Sequence, residues 1–556
     1  MKKHKNTLLI AAFTFLSLFL LYISFSVYYE AYEYFFNAAF EGYITDNKPV
    51  NIAIYTYIGI GSIIKYLNSL FPEFPWYTII MCSLTTIGLF QIQLLFLSKQ
   101  FSSSTRVHCF LFGLIFLILS ESLFLFQFTR VAFILSISSL LFACFTSFNW
   151  KSLIFSLSVF CLGILVRPEV AFLMLLLCFP LFFLVNESFK KSSFFIILFI
   201  FAILTIQNDR NSSNEFYKKV LHSKTEYQIA LGNVVPIGKM KTSEDSMKYT
   251  AVCNGIVNDP DYISYQFMRQ IVADNSIVLL SKTLFARSLT ELNKCATNYS
   301  HLIVLCILLL SFNFIIHRKN KKKSIFLFSY SVYLGSVLLY ISYNMSMERR
   351  VMGPILSFFA ITNIIILLEG DILNKIRHQK QLGFIFGSLF LLWCFWCLLF
   401  IYNLSNSYNV RIVANKKTLG ELEKIAANKI LVPESSAFVS LFFDNQKPFD
   451  NPKFPSFKKL FLMDIEMFSL TPDYNTFLNK NCNCNSSDLA VFYDYLYSIK
   501  DDVILAGNEE RIKVYEKYLR IVRKRNYIFK KTGQISGTET TGYKDISTFV
   551  ITKDSL

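Results

Sequence analysis

The sequence lacks the motifs that mark common soluble catalytic sites. Its 556 residues include six His, which are scattered without the spacing of a metal-binding group. It has no glycine-rich phosphate loop, no GxSxG segment, no HExxH segment and no Cys/His cluster. Their absence argues against a nucleotide-binding site with a phosphate loop, a serine hydrolase with a nucleophile elbow and a zinc peptidase. There is also no internal repeat and no low-complexity linker.

Apolar and aromatic residues dominate instead. The chain is 53% hydrophobic and contains 59 Phe and 30 Tyr, which indicates an integral membrane protein. Much of the +17 net charge lies in short segments such as 318–323 and 375–380. Basic residues in short loops place those loops in the cytoplasm, so this charge is interpreted as orienting membrane spans and not as binding nucleic acid. A cytosolic nucleotide site is disfavoured as well, because every predicted cytoplasmic loop is short.

Apolar length and flanking charge predict about eleven transmembrane helices, with the N-terminus inside and the C-terminus outside. The first tract has no small-residue cleavage site and is expected to stay as an uncleaved span. The predicted spans are 7–28, 75–98, 107–127, 128–147, 152–166, 168–187, 192–207, 301–316, 324–343, 352–369 and 383–404.

The predicted fold is therefore an α-helical multi-span membrane protein with two domains. The transmembrane domain covers 1–404 and carries a first outer loop, 29–74, and a large outer loop, 208–300. Residues 405–556 are predicted to form a small soluble extracytoplasmic domain of α/β or α+β type. That tail has helix-like runs at 417–429 and 509–525 and strand-like runs at 526–531 and 546–552.

Residues 50–71 are apolar enough to suggest a twelfth span, but that span would invert every later loop. The segment contains Lys65 and several Tyr, a composition typical of membrane interfaces. We therefore predict a helix that lies in the outer membrane interface.

Four of the twelve Cys lie in polar regions predicted to be outside, namely Cys253, Cys295, Cys482 and Cys484. A Cys253–Cys295 disulfide and free thiols are equally compatible with the sequence. The Cys482-x-Cys484 pair has no nearby His or second Cys pair, which disfavours zinc.

Ionisable residues from distant stretches gather at the predicted outer boundary of the membrane. An ionisable group at membrane depth is by default a functional-site candidate. Arg suits a phosphate because its planar fork matches two phosphate oxygens, and a carboxylate within hydrogen-bond reach can act as a general base. The bases are Arg130, Arg167, Arg349 and Arg350, and the acids are Glu30, Glu33, Glu41, Asp46, Glu121, Glu169 and Glu348.

Each of these residues also has a structural explanation. Glu121 and Arg130 could simply pair across a hairpin, and Arg167 and Glu169 could cap a turn. The arginines at 349–350 could bind ordinary anionic headgroups, and the acids of the first loop could form a solvated face. The functional interpretation requires that these groups meet in one pocket.

Several short segments resemble the GT-C superfamily, the multi-span glycosyltransferases that use polyprenyl-phosphate-linked sugars. Residues 163–169 (GILVRPE) are similar to its "G…RPE" hairpin, and 347–351 (MERRV) resemble a late Arg-rich outer motif of one bacterial branch. The stretch from Glu33 through Gly42 to 75–77 (PWY), with 127–129 (QFT) later, resembles the same branch. That branch opens the first loop with an Asp-Asp pair, where this chain has Tyr32 and Glu33.

The resemblance implies transfer of a sugar from a polyprenyl-phosphate carrier to an envelope glycan or glycolipid, at the outer face of a bacterial cytoplasmic membrane. It implies Glu33 as the base, with Glu30 second, and Arg167, Arg349 and Arg350 as carrier-phosphate ligands. Arg130 is a further phosphate candidate, and Glu121, Glu169 and Glu348 are supporting residues. No visible feature requires a metal or another cofactor. The alternatives are a polysaccharide polymerase or ligase, a lipid or glycan transporter, and an inactive scaffold.

Overall fold

The computed structural model describes most of the apolar helices and most of the C-terminal part of the chain. The described ranges are 58–98, 105–146, 149–185, 242–254, 282–318, 320–344, 349–369, 380–434, 458–461, 472–484, 488–536 and 545–553, with isolated positions within 14–45, 193–205 and 256–267. Most of the predicted span 7–28 and most of both predicted outer loops fall outside the described residues, and the predicted span 192–207 is described only at separate helical positions between 193 and 205.

Helices account for most of the described residues. In chain order they are α1 (Ile58–Leu70), α2 (Trp76–Ser98), α3 (Thr105–Ile118), α4 (Ser120–Phe124), α5 (Phe128–Phe145), α6 (Trp150–Val166), α7 (Pro168–Val185), α8 (Ser243–Cys253), α9 (Lys282–Asn298), α10 (Ser300–His317), α11 (Lys321–Asn344), α12 (Arg349–Glu369), α13 (Lys380–Ile425), α14 (Pro472–Cys482), α15 (Leu489–Ser498) and α16 (Glu509–Ile521).

The described strands form two sheets. They are β1 (Tyr28–Tyr29), β2 (Leu125–Phe126), β3 (Ile430–Pro433), β4 (Lys459–Leu460), β5 (Val503–Gly507), β6 (Tyr527–Ser536) and β7 (Asp545–Lys553). Strands β1 and β2 pair in parallel, and the other strands form a five-stranded sheet in the order β4-β3-β5-β7-β6. In that sheet β4, β3 and β5 run parallel, whereas β7 is antiparallel to both β5 and β6.

The chain divides into two compact units. The first unit contains Met1–Glu30, Ile79–Asn211 and Leu280–Asn406, and the second contains Ala31–Thr78, Ser212–Leu279 and Ser407–Leu556. Each unit is thus assembled from three separate stretches of the chain. The second includes much of both predicted outer loops together with the predicted C-terminal tail.

Within the described ranges, six helices are long and apolar enough to cross a membrane: α2, α5, α10, α11, α12 and α13. Helices α6 and α7 are shorter and also apolar. Helices are therefore confirmed at the predicted spans that begin at 75, 128, 152, 168, 301, 324 and 352. The count of eleven spans and their orientation stay predictions.

Two predicted spans are wrong in their extent. The tract 107–127 is not one helix, because α3 ends at Ile118 and is followed by the short α4 and by β2. Polar residues at 120–122 lie at this break, and two of them bond to other elements. The span 383–404 continues to Ile425, since no proline interrupts the chain before Pro433. Just beyond that helix, Asn428 has a φ of 61°, the left-handed conformation that commonly ends a helix.

Helix α5 forms the centre of the first unit, and all of its residues are buried. It packs against α6, α7 and α12. Small side chains allow the close approach: a Cβ at Gly163 of α6 would lie 2.7 Å from Oγ of Ser136, and one at Gly88 of α2 would lie 2.8 Å from Ile134. Ser138 also donates a 3.0 Å hydrogen bond to Gln91 of α2. Gly and Ser at such contacts are typical of helix packing in membranes.

Helices α10 and α12 lie side by side in the same direction. The Asn313 amide donates to the Asn363 side chain at 2.9 Å, and the Cys306 thiol donates to the Leu356 carbonyl at 3.5 Å. Both contacts join residues fifty positions apart, which fixes the parallel register. The beginnings of α10 and α12 therefore lie at the same end of the first unit.

Part of the segment 50–71 is a helix as predicted, over Ile58–Leu70, while its place in the outer membrane interface stays a prediction. Ile60 and Ile64 are buried on one face, while Ile63, Tyr66 and Leu70 are exposed. An apolar face left uncovered in this way is what a membrane interface would require.

In the second unit, helices lie against the sheet, and a segment of the predicted large outer loop packs with them. Helix α8 packs on α16. Asp259, which follows α8, is completely buried, lies 3.4 Å from Arg523 and accepts a 2.8 Å hydrogen bond from Tyr518. The outer-loop stretch is thus part of the core of this unit.

The structure also answers part of the cysteine question. Cys482 and Cys484 form a disulfide, which excludes the metal alternative for this pair. Cys295 has a free, buried thiol, which agrees with the free-thiol alternative for this residue, and the side chain of Cys253 lies outside the described residues.

Candidate functional site

Residues at the beginnings of four helices form a connected set of contacts in the first unit, and three of these helices contact Glu121. Glu121 lies in α4, and the four helices are α5, α7, α10 and α12. We call this place the four-helix junction, formed by Glu121, Thr129, Arg130, Arg167, Tyr299 and Gly353. Each contact below involves a residue that lies within the first five residues of one of these helices or directly before it.

A buried ion pair occupies the centre of the junction. Nη2 of Arg130, in the first turn of α5, lies 3.3 Å from Oε1 of Glu121, and the Arg130 side chain has 0% exposure. Arg130 also donates to the Ser122 hydroxyl at 3.4 Å. The hairpin-pairing explanation for Glu121 and Arg130 is therefore what the structure contains. A phosphate would reach Arg130 only by displacing Glu121.

Two further helices close on the same carboxylate. Tyr299, just before α10, donates a 3.2 Å hydrogen bond to Oε1 of Glu121. A Cβ on Gly353, in α12, would lie 2.8 Å from Oε2 of Glu121 and 3.0 Å from the Tyr299 ring. The glycine therefore lets the Glu121 carboxylate contact the first turns of α12.

Arg167 occupies the open side of the junction. It follows α6, directly precedes α7 and donates a short hydrogen bond to the hydroxyl of Thr129 in α5. Its guanidinium lies 5.0 Å from the centre of the Phe128 ring, and its Nε lies 3.8 Å from the exposed Glu169 carboxylate. The Arg167 side chain is 16% exposed, so it is reachable where Arg130 is not.

The electrostatics of the junction favour an anion. A helix begins with unpaired N–H groups and a partial positive charge, and the beginnings of α5 and α7 meet at the hydrogen bond between Arg167 and Thr129. The side chain of Gln127 precedes α5 without capping its first turn. Gln127 is itself buried, and its Oε1 has no hydrogen-bond partner among the described residues. The junction can therefore accept a phosphate at α5 and Arg167, whereas the Gln127 oxygen, itself an acceptor, cannot bind a phosphate.

The remaining predicted residues differ in what the structure describes. Glu30, Glu33, Glu41, Asp46 and Glu348 lie outside the described residues. Arg349 is the first residue of α12, but its side chain is not described. Arg350 follows it, is half-buried and lies one helical turn before Gly353. The described candidates thus share one end of the first unit, and their catalytic and binding roles stay predictions.

The sequence analysis missed Tyr299 and Gly353. Tyr299 is buried immediately before an apolar span, and a Tyr at such a boundary is a recognisable signal for the membrane interface. Gly353 precedes Pro354 inside an apolar helix, and a glycine at that place often marks a close approach. No residue pattern connects either of them to Glu121.

No site for a metal is evident in the described part of the chain. Among these residues there is no group of three or more His, Cys, Asp or Glu side chains that could hold a metal ion.

Fold and site together define a polytopic α-helical membrane protein with an additional mixed α/β unit. No protein-family model matches the chain, and no curated protein matches it significantly. The chain is similar to a solved structure described as the crystal structure of ArnT from Cupriavidus metallidurans bound to undecaprenyl phosphate. The identity is 10%, the TM-score is 0.35, and the alignment covers 97% of each chain. At this TM-score the two backbones agree too weakly for residue roles to be transferred.

Proposed function

We propose that this protein is a membrane glycosyltransferase that moves a sugar from a polyprenyl-phosphate carrier to a cell-envelope glycan or glycolipid. The reaction would take place at the outer face of a bacterial cytoplasmic membrane, with the second unit outside. The observation that supports this proposal is a partly exposed arginine, Arg167, which is hydrogen-bonded to Thr129 where α5 and α7 begin. Such a site suits a phosphate monoester or diester held at membrane depth.

In the proposed reaction a carboxylate, for which Glu33 is the candidate, takes the proton of the acceptor hydroxyl. The acceptor oxygen then bonds to the anomeric carbon of the sugar. The bond between that carbon and the phosphate oxygen breaks, and the electron pair leaves with the polyprenyl phosphate. Arg167, the first-turn N–H groups of α5 and the candidate Arg350 would stabilise the charge that develops on this leaving group.

The Glu121–Arg130 pair is assigned a different task. Because the two charges neutralise each other inside the unit, the pair adds little net field to the site. It holds α4 and α5 at fixed positions, and Tyr299 and Gly353 connect the same carboxylate to α10 and α12. This network would keep the helix beginnings aimed at the phosphate.

Carrier binding is tested with the full chain in nanodiscs and undecaprenyl phosphate as the probe. Arg167→Ala should raise the Kd by about ten- to a hundredfold, because one hydrogen bond to a charged group contributes roughly 1.5–3 kcal/mol. The matched control is Lys151→Ala, an exposed basic residue at the opposite end of α6, about 25 Å away along that helix. An unchanged Kd for Arg167→Ala would assign Arg167 a packing role and remove the phosphate site.

Sugar transfer is tested separately in cells. Glu33→Gln should abolish transfer at unchanged expression, because the amide cannot accept the hydroxyl proton, and the lipid-linked donor should accumulate. Glu73→Gln, an exposed acid of the same predicted loop, should leave transfer intact. Normal envelope glycans in the Glu33→Gln strain would exclude Glu33 from the mechanism.

A further inference from the structure

Helix α7, which begins directly after Arg167, contains a proline. Pro180 lies inside the helix and has no N–H group. The carbonyl of Leu176, four residues earlier, therefore lacks the donor that an ordinary helix would provide. A carbonyl without a donor is costly inside a membrane, where no water replaces the lost hydrogen bond. The freed carbonyl of α7 needs a donor from another element.

Two tyrosines of α11 donate hydrogen bonds at this place. The Tyr333 hydroxyl donates to the Leu176 carbonyl at 3.0 Å, and the Tyr330 hydroxyl donates to the neighbouring Leu177 carbonyl at 3.1 Å. The two tyrosines lie one helical turn apart, and their rings are stacked with centroids 6.5 Å apart. We call Tyr330 and Tyr333 the tyrosine pair. Tyr333 of the pair replaces the hydrogen bond that Pro180 cannot make.

The tyrosine pair also contacts α12. Tyr330 is buried, and the centroid of its ring lies 6.2 Å from that of Phe359. Leu176 comes nine positions after Arg167, and Phe359 comes nine positions after Arg350, which is about 13 Å along each helix. The pair therefore connects α7 and α12 at the same distance from their beginnings, where the two candidate phosphate ligands lie.

The coincidence of proline and tyrosines distinguishes positioning from simple packing. Any other residue at 180 would keep the helical hydrogen bond, and the Leu176 carbonyl would need no tyrosine. A proline inside a helix also kinks it, and a kink here re-aims the part of α7 that begins at Arg167. We propose that Tyr330 and Tyr333 are positioning residues, which fix α7 at Pro180 and so set the place of the Arg167 guanidinium. The inference rests on the proposed function, in which Arg167 binds the carrier phosphate.

A double-mutant cycle on the full chain in nanodiscs tests this, with undecaprenyl phosphate as the probe. Tyr333→Phe should raise the Kd by about three- to tenfold, because the freed carbonyl loses its donor and α7 loses its fixed position. Pro180→Leu should also raise the Kd, because it straightens α7. In that variant the new N–H serves the Leu176 carbonyl, so adding Tyr333→Phe should change the Kd no further. Tyr402→Phe, at an exposed tyrosine of α13, is the matched control and should bind as the wild type does.

A second measurement does not depend on the carrier. Phenylglyoxal modifies arginine side chains, and mass spectrometry gives the rate at Arg167 alone. Tyr333→Phe should raise this rate by about twofold or more, and Tyr402→Phe should not. Additive effects of Pro180→Leu and Tyr333→Phe on the Kd, or a wild-type modification rate in Tyr333→Phe, would overturn the proposal.

The two measurements separate this inference from the proposed function. If the wild type does not bind undecaprenyl phosphate, the proposed function fails, and the modification rate at Arg167 still decides whether the tyrosine pair positions it. If Pro180→Leu does not fold, the comparison of Tyr333→Phe with Tyr402→Phe decides the matter in both measurements.

Discussion

Single residues at the four-helix junction depend on one another because the charges there are buried. A guanidinium with no exposed surface is costly unless a carboxylate and further hydrogen bonds surround it. Arg130 has Glu121 at 3.3 Å, and Glu121 has Tyr299 at 3.2 Å. The position of the Glu121 carboxylate therefore also depends on the free space that Gly353 leaves.

Gly353→Ala should lower the stability of the first unit. The new methyl group would fall 2.8 Å from Oε2 of Glu121, and the carboxylate cannot retreat without weakening its contact with Arg130. We expect a loss of about 1–3 kcal/mol, the usual cost of overpacking, and a lower Tm in detergent. Gly335→Ala in α11 is the control, because nothing lies within 4 Å of its added Cβ. Equal Tm values for the two variants would mean that the junction relaxes freely.

At this scale the sequence predicts which residues are unusual but not which partners they have. Glu121 and Arg130 stand out because they are charged within an apolar tract, and their pairing was one of the two alternatives it suggested. Tyr299 lies 178 residues from Glu121 along the chain. Contacts over such distances depend on how the helices pack, and no local pattern encodes them.

Individual helices and strands can be predicted from the sequence where one face of the element is buried and the opposite face is exposed. Strand β6 alternates buried and exposed residues over much of its length, and the period-two pattern identifies it. Strands β3 and β5 are buried throughout, so their sequences show no alternation and resemble short apolar runs of any kind. The sequence analysis therefore predicted the two antiparallel strands β6 and β7 and missed the buried parallel strands β3 and β5.

The start of α16 should be sensitive to acid. Lys513 and Lys531 donate to the Glu509 carboxylate at 2.8 and 2.9 Å, and these hydrogen bonds lower its pKa to about 2 from 4.5. Because the folded-state pKa is depressed, the stabilisation is present above pH 4.5 and is lost as the pH falls toward 2.

Glu509→Gln removes that ionisation. Its Tm should lie slightly below that of the wild type at pH 6, and the two proteins should converge only as the pH falls to about 2 and below. Glu510→Gln, the next exposed residue of the helix, serves as the control and should follow the wild type across the range. A constant Tm difference between Glu509→Gln and the wild type at every pH would show that the two lysines do not stabilise α16.

Considered as a whole, the molecule does not divide along the chain as its hydropathy does. The apolar part and the polar tail suggest a boundary near residue 404, yet the second unit also contains residues 31–78 and 212–279. Asp259 shows why: it is a buried acid from the middle of the chain, and its partners Tyr518 and Arg523 lie near the end. Hydropathy reports the preferred solvent of each stretch and contains no information about such pairings.

Asp259→Asn should destabilise the second unit by about 1–2 kcal/mol, because Arg523 and the Tyr518 hydroxyl lose a buried carboxylate while Arg523 keeps its ion pair with Asp488. Limited proteolysis should then cleave the variant faster than the wild type. Glu244→Gln breaks a partly exposed Glu244–Lys248 pair in the same outer-loop stretch and should change stability by less than about 0.5 kcal/mol. Equal cleavage rates for the two variants would mean that the Asp259 contact is dispensable.

The complete burial of α5 has a consequence for biosynthesis. A ribosome delivers α5 together with Glu121, so Arg130 can be neutralised while the nascent chain is still short. The other groups that enclose this carboxylate, Tyr299 and Gly353, are synthesised 178 or more residues later. Until these residues are synthesised, α5 must contact lipids or insertion factors, although none of its residues is exposed in the folded protein. The last helices to emerge therefore decide when the first ones acquire their native neighbours.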